Sequence, residues 1–148
     1  MAKGGAKEVI GQFLRAIKAA DGKTMMSLLA EDAVVVLPGS YKVPWAGRWE
    51  GRDSIAQCFQ LIGEFLEIRS HDLKLIFGEG EHVLVFMYET SEARNTGRVL
   101  HQDTAWLFRI RAGKIAFWQA FEDTEQIAWA WEDDARAWDN ASRRTKSK

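Results

Sequence analysis

At 148 residues, with 47% hydrophobic side chains and seven tryptophans, the chain has the size and apolar content of one globular domain with a substantial core. Acidic and basic residues nearly cancel to a formal charge of −1, which excludes bulk electrostatic attraction to nucleic acid or to an anionic membrane. A single cysteine, Cys58, excludes an intrachain disulfide and a cysteine-based metal cluster, and no run approaches the ~18 apolar residues of a membrane span, so a soluble cytoplasmic protein is expected.

The opening MAKGGAKE lacks the apolar stretch of a signal peptide. Val9, Ile10, Phe13, Leu14 and Ile17 then recur at helical spacing, predicting an amphipathic helix that ends near Asp21-Gly22. A short second helix is expected over Thr24–Ala30, with Thr24 as its cap. The β-branched run Ala33–Leu37 reads as a buried strand stopped by Pro38-Gly39.

From Pro38 to Gly51 the composition is too rich in Gly and Pro for regular structure and too aromatic for a plain solvated loop. Tyr41, Trp45 and Trp49 are therefore read either as flaps over a ligand cavity or as anchors pinning the loop to the core. A longer helix is predicted over Asp53–Glu67, with Cys58 in its apolar stripe as a core residue rather than a nucleophile. Strands follow at His71–Phe77 and His82–Ser91, joined by Gly78-Glu79-Gly80-Glu81, and the second runs through a tip at Arg94–Gly97 into a central hairpin. That hairpin is made of Val99–Ile110 and Ile115–Phe121 around the turn Arg111-Ala112-Gly113-Lys114. The last predicted element is a helix over Thr124–Trp138, opened by Asp123-Thr124 with Gln126 in a capping-box-like start. Residues 1–138 form the single domain, and 139–148 a basic tail without the interleaved aromatics of a nucleic-acid site.

Helices first and a meander of strands later predict an α+β fold: a curved, mostly antiparallel sheet packed on N-terminal helices. Curled around a long helix, such a sheet forms a cone with an apolar interior, where small molecules bind.

The element order, together with LLAEDAVVVLPG, PWAGRWEGRDSI, FRIRAGKIAFW and FEDTEQIA, resembles the SnoaL-like and ketosteroid-isomerase-like branch of the nuclear transport factor 2 superfamily, from about Val9 to Trp131. The resemblance implies a cone-shaped domain with a deep apolar pocket, usually a homodimer through the outer sheet face. Members include isomerases, polyketide cyclases, dehydratases and epoxide hydrolases. Ketosteroid isomerases carry a general-base Asp where this chain has Leu37, and a first-helix Tyr where it has Ala16. Their second acidic donor, which is also the cyclase aspartate, falls on Trp106.

Alternation supplies other candidates. If Trp106 faces the cavity, so do Gln102, Thr104 and Phe108. Pairing across the tip at Asn95-Thr96 sets Glu89 opposite Gln102, Met87 opposite Thr104 and Val85 opposite Trp106, and the last strand contributes Ala116, Trp118, Ala120 and Glu122. A carboxylate walled by Trp106, Trp118 and Met87 loses hydration, which raises its pKa from about 4.3 toward neutrality. Glu89 and Glu122 are thus the candidate catalytic acid and base, with Tyr41, Trp45, Trp49, Met87, Gln102, Thr104, Trp106 and Trp118 as substrate contacts. The alternative is that the two carboxylates pair with Arg48, Arg98 or Arg109 and only hold the structure. His101 and Asp103 point outward in this register and are a second choice; His71 and His82 read as surface or strand-edge residues. No metal spacing or phosphate loop is visible, and no cofactor is expected. The function expected is acid–base chemistry on an apolar metabolite, by isomerisation, cyclisation, dehydration or epoxide opening. The alternative is a non-catalytic ligand-binding or dimerisation module.

Overall fold

The computed structural model describes residues 5–132. Helix α1 (Ala6–Lys18) buries Val9, Ile10 and Phe13 of the expected stripe together with Ala16, while Leu14 and Ile17 pack half-buried against the core. Helix α2 (Gly22–Ser27) starts two residues earlier than expected, because Asp21 is its cap. The Asp21 carboxylate accepts from the Thr24 backbone N–H at 3.1 Å and from the Thr24 hydroxyl at 2.6 Å, so Thr24 is capped rather than capping. Strand β1 (Leu29–Leu37) precedes the aromatic connection, and helix α3 (Arg52–Phe65) follows it. The connection is not irregular throughout: Gly47–Glu50 forms β2, paired antiparallel with β1 from Val34↔Glu50 to Leu37↔Gly47. A polar edge strand of this length has no apolar alternation to announce it. The start of α3 is pinned to β1, since Gly51 donates to the Ala33 carbonyl at 2.8 Å and the Arg52 guanidinium donates to the Leu29 carbonyl at 2.6 Å.

Four long strands follow: β3 (Leu66–Glu79), β4 (His82–Ala93), β5 (Val99–Arg111) and β6 (Lys114–Phe121). The sheet order is β2-β1-β6-β5-β4-β3, antiparallel except where β1 runs parallel to β6. It is unclosed, with β2 and β3 as edges, and register shifts in the β1/β6, β3/β4 and β5/β6 ladders bend it. The β4/β5 register places Glu89 opposite Gln102, Met87 opposite Thr104 and Val85 opposite Trp106, as alternation required. Helix α4 (Thr124–Trp131) is capped by Asp123, which accepts from the Gln126 backbone N–H; the expected continuation to Trp138 and the basic tail lie outside the described residues.

The core lies between the concave face and the helices. Phe13 of α1 packs edge-on to Phe108 at 6.0 Å and to Trp118 at 5.5 Å, and Phe59 of α3 meets Trp118 at 5.7 Å. Cys58 is fully buried, and burial pushes its thiol up to about 12, which makes it the inert core residue expected.

The β5–β6 turn has Ala112 at φ 50° and Gly113 at φ 75°, both left-handed as a two-residue hairpin turn requires. Alanine pays a steric penalty there that asparagine largely avoids. Ala112→Asn should therefore stabilise the fold by about 0.5–1 kcal/mol, read as a higher urea midpoint at unchanged m-value.

Candidate functional site

The concave faces of β4, β5 and β6 bring the expected polar residues together. Glu89, Gln102 and Thr104 are 5%, 3% and 3% exposed, beside Met87, Trp106 and Trp118, which are also buried. Buried polar groups need partners, and here each oxygen can be followed. Ser91 Oγ donates to Glu89 Oε1 at 2.5 Å. The Asp123 backbone N–H donates to Gln102 Oε1 at 2.8 Å, which orients the Gln102 amide so that its Nε2 faces Glu122 Oε2 at 3.5 Å. Thr104 Oγ1 donates to the Phe121 carbonyl at 3.3 Å.

Glu122 is the perturbed group. Loss of hydration, reinforced by the charge of Glu89, raises its pKa from an ordinary 4.5 to about 8; the nearby Gln102 amide and Trp106 indole oppose the shift without cancelling it. The Trp106 and Trp118 indole nitrogens are buried without a hydrogen-bond partner of normal geometry. At neutral pH Glu122 is thus mostly protonated, with the Glu89 carboxyl on the same wall.

The arginines offered as alternative partners go elsewhere. Arg48 pairs with Glu50 at 2.6 Å, Arg109 with Glu81 at 3.3 Å, and Arg98 donates to the carbonyls of Trp129 and Glu132. His101 and Asp103 face outward: His101 stacks on Tyr88 at 6.1 Å, and Asp103 pairs with Lys74. His71, expected at the surface or a strand edge, lies on the edge strand β3 but turns its ring inward. Its Nε2 lies 3.4 Å from Glu89 Oε2, and its ring meets Trp106 edge-on at 5.2 Å. Two register shifts in β3, between Ile68 and Ser70 and between Leu73 and Leu75, break the alternation that would have revealed it.

The loop aromatics divide. Trp45 is an anchor, buried against Phe65 at 6.0 Å, and Trp49 donates its indole N–H to the Trp45 carbonyl at 2.9 Å. Tyr41 is 85% exposed and lines no wall. The deep end of the concave face is filled by rings, Trp106 on Trp118 at 4.7 Å and Phe108 on Trp118 at 5.6 Å. A cleft of about 470 Å³ lies instead between the loop after β1 and α4, lined by Ser40, Lys42, Arg98, Thr124, Trp129 and Glu132 among others; none of the expected substrate contacts borders it.

The SnoaL-like domain family matches residues 10–118, from α1 into β6. The chain belongs to the SnoaL-like family. Among solved structures, this SnoaL-like domain is similar to a nuclear transport factor 2-like protein from Burkholderia xenovorans, 26% identical, covering 86% of this chain and 95% of that one at a TM-score of 0.77. A second such protein, from Burkholderia pseudomallei, is 18% identical over 90% of this chain and 100% of that one, with a TM-score of 0.81. TerC, co-crystallised with polyporic acid, is 19% identical over 86% of this chain and 98% of that one, with a TM-score of 0.78. No curated protein matches the sequence.

The raised pKa of Glu122 has a consequence for stability. The native state holds a proton that the unfolded chain releases above about 4.5, so this contribution is complete below that pH and is lost as pH rises through about 8. Glu122→Gln removes the titration. Its melting temperature should be flatter than wild type between pH 5 and 9, chiefly by gaining relative to wild type at the alkaline end, as scanning calorimetry across that range would show.

Proposed function

We propose that this SnoaL-like protein is a cofactor-independent enzyme that moves a proton on an apolar, ring-bearing metabolite, in an isomerisation, cyclisation, dehydration or epoxide opening. The observation that carries this reading is the Glu122 carboxyl, its pKa raised to about 8, set beside buried Glu89 on a wall of Trp106, Trp118 and Met87. A desolvated carboxylate is a stronger base than one in water, and a carboxylic acid that keeps its proton at neutral pH is a usable donor. Gln102 and Thr104 supply hydrogen-bonding groups beside developing charge on the substrate. The co-crystallisation of TerC, which has the same fold, with polyporic acid supports small-molecule binding by such a domain.

A base that acts on apolar molecules can be assayed before its substrate is known. With 5-nitrobenzisoxazole as probe, loss of the ring C–H proton forms the nitrile and breaks the N–O bond, leaving a coloured phenolate. Wild-type protein should accelerate this elimination over buffer, and Glu89→Gln should lower kcat/KM by about a hundredfold or more, with Glu122→Gln lowering it less. No acceleration by wild type, or full activity in both variants, would remove the carboxylates from any proton transfer. The competing reading, a ligand-binding module without turnover, draws on the ring packing that fills the deep end of the concave face. It requires ligand-dependent quenching of tryptophan fluorescence with no elimination.

We also propose a homodimer through the outer sheet face. Leu75, Phe86, Ala105 and Phe121 form one cross-strand row there, and Leu75, Phe86 and Phe121 are 48%, 39% and 50% exposed; Phe77, 61% exposed, lies in the adjacent row with Leu84 and Leu107. A contiguous apolar face of this kind marks an interaction surface. Phe86→Glu should convert a dimer to a monomer in sedimentation velocity; a wild type that sediments as a monomer at micromolar concentration would count against it.

A further inference from the structure

As an edge strand with two register shifts, β3 turns Ile68, His71 and Leu73 toward the concave face, opposite Ser91, Glu89 and Met87 respectively. The His71 side chain is 11% exposed, and its Nε2, 3.4 Å from Glu89 Oε2, is sealed from water and forms no hydrogen bond of normal geometry. Glu89 is held from its other oxygen by Ser91 Oγ at 2.5 Å, so the carboxylate is fixed while it faces the imidazole. Trp106 meets the ring edge-on at 5.2 Å and limits its rotation.

A carboxylate beside one ring nitrogen selects the tautomer that donates to it, which leaves the lone pair on the other nitrogen. With Nε2–H directed at Glu89, that nitrogen is Nδ1. The neighbours along the same row, Ile68 and Leu73, are 43% and 53% exposed, an apolar approach at the open edge of the sheet. The ring-filled deep end offers no comparable route.

We propose that His71 is the catalytic residue that exchanges a proton with the bound molecule through Nδ1, that Glu89 orients it by accepting from Nε2–H, and that an apolar ring-bearing substrate reaches it across Ile68 and Leu73. This deepens the acid–base reading of the concave site and rests on it. On the 5-nitrobenzisoxazole probe, the C–H proton passes to Nδ1 and the C–H electron pair completes the nitrile. The N–O pair leaves on the phenolate oxygen, and the imidazolium, stabilised by Glu89, returns its proton to water.

The test joins a spectrum to a rate. Long-range ¹H–¹⁵N NMR of labelled protein, with three histidines in the chain, identifies the His71 tautomer by the signals that His71→Gln removes. The expected result is an Nε2–H tautomer with a bare Nδ1. Glutamine at 71 keeps an amide near Glu89 but supplies no base, so a folded His71→Gln, checked by its urea midpoint, should lose about a hundredfold or more in kcat/KM for the elimination. An Nδ1–H tautomer, or a wild-type rate in His71→Gln, overturns the assignment. If Glu89→Gln loses the elimination and His71→Gln keeps it, only the role of His71 falls; if both keep it, the acid–base reading of the site falls as well.

Discussion

Two carboxylates that face the same water-poor wall cannot both ionise cheaply, and the concave side of this protein is arranged around that constraint. The site resolves it by making their surroundings unlike. Glu89 receives a hydroxyl donor from Ser91 and faces an imidazole, whereas Glu122 has a long contact to an amide whose orientation is set by the Asp123 backbone. Glu122 holds its proton up to about pH 8. A difference in surroundings is enough to separate the proton affinities of two chemically identical groups.

That wall is held by aromatic packing on one side and by a fastening at the other. Phe13, Phe59, Phe108 and the two tryptophans at 106 and 118 form the cluster against which the polar row is set. At the opposite end, the tip between β4 and β5 grips the last turn of α4. Asn95 donates to the Trp131 carbonyl, Thr96 to that of Ala130, and Arg98 to those of Trp129 and Glu132. These carbonyls belong to the last turn of α4 and to its C-cap Glu132, and the hairpin donates to them. The aromatic chain Trp45, Phe65 and Trp131 lies next to this fastening, with ring separations of 6.0 and 5.6 Å. The loop aromatics thus serve as anchors at the same end of the domain as the cleft beside α4, and Tyr41 alone projects into solvent.

Much of this was legible before any coordinates. The central hairpin, its turn and the β4/β5 pairing followed from alternation and from one tight tip, and the pairing placed Glu89, Gln102, Met87, Thr104 and Trp106 on one face. Alternation succeeded there because that ladder runs from His82↔Arg109 to Glu92↔Val99 without a register shift. His101 and Asp103 point outward, as that register requires, while the interruptions lie in β3 and bring His71 inside. Strand β2 was missed because Gly47–Glu50 is short and polar, so its pairing with β1, not its own pattern, makes it a strand.

The order of residues along the chain determined the elements, their handedness at the turns and the class of architecture, because helical and strand periodicity and left-handed turn positions are properties of near neighbours. Tertiary structure decided which carboxyl keeps its proton, which histidine meets the other one and how far the rings fill the concave face. Those outcomes depend on hydration lost and charges brought close when distant strands meet, and on edge-strand irregularities that no local pattern records.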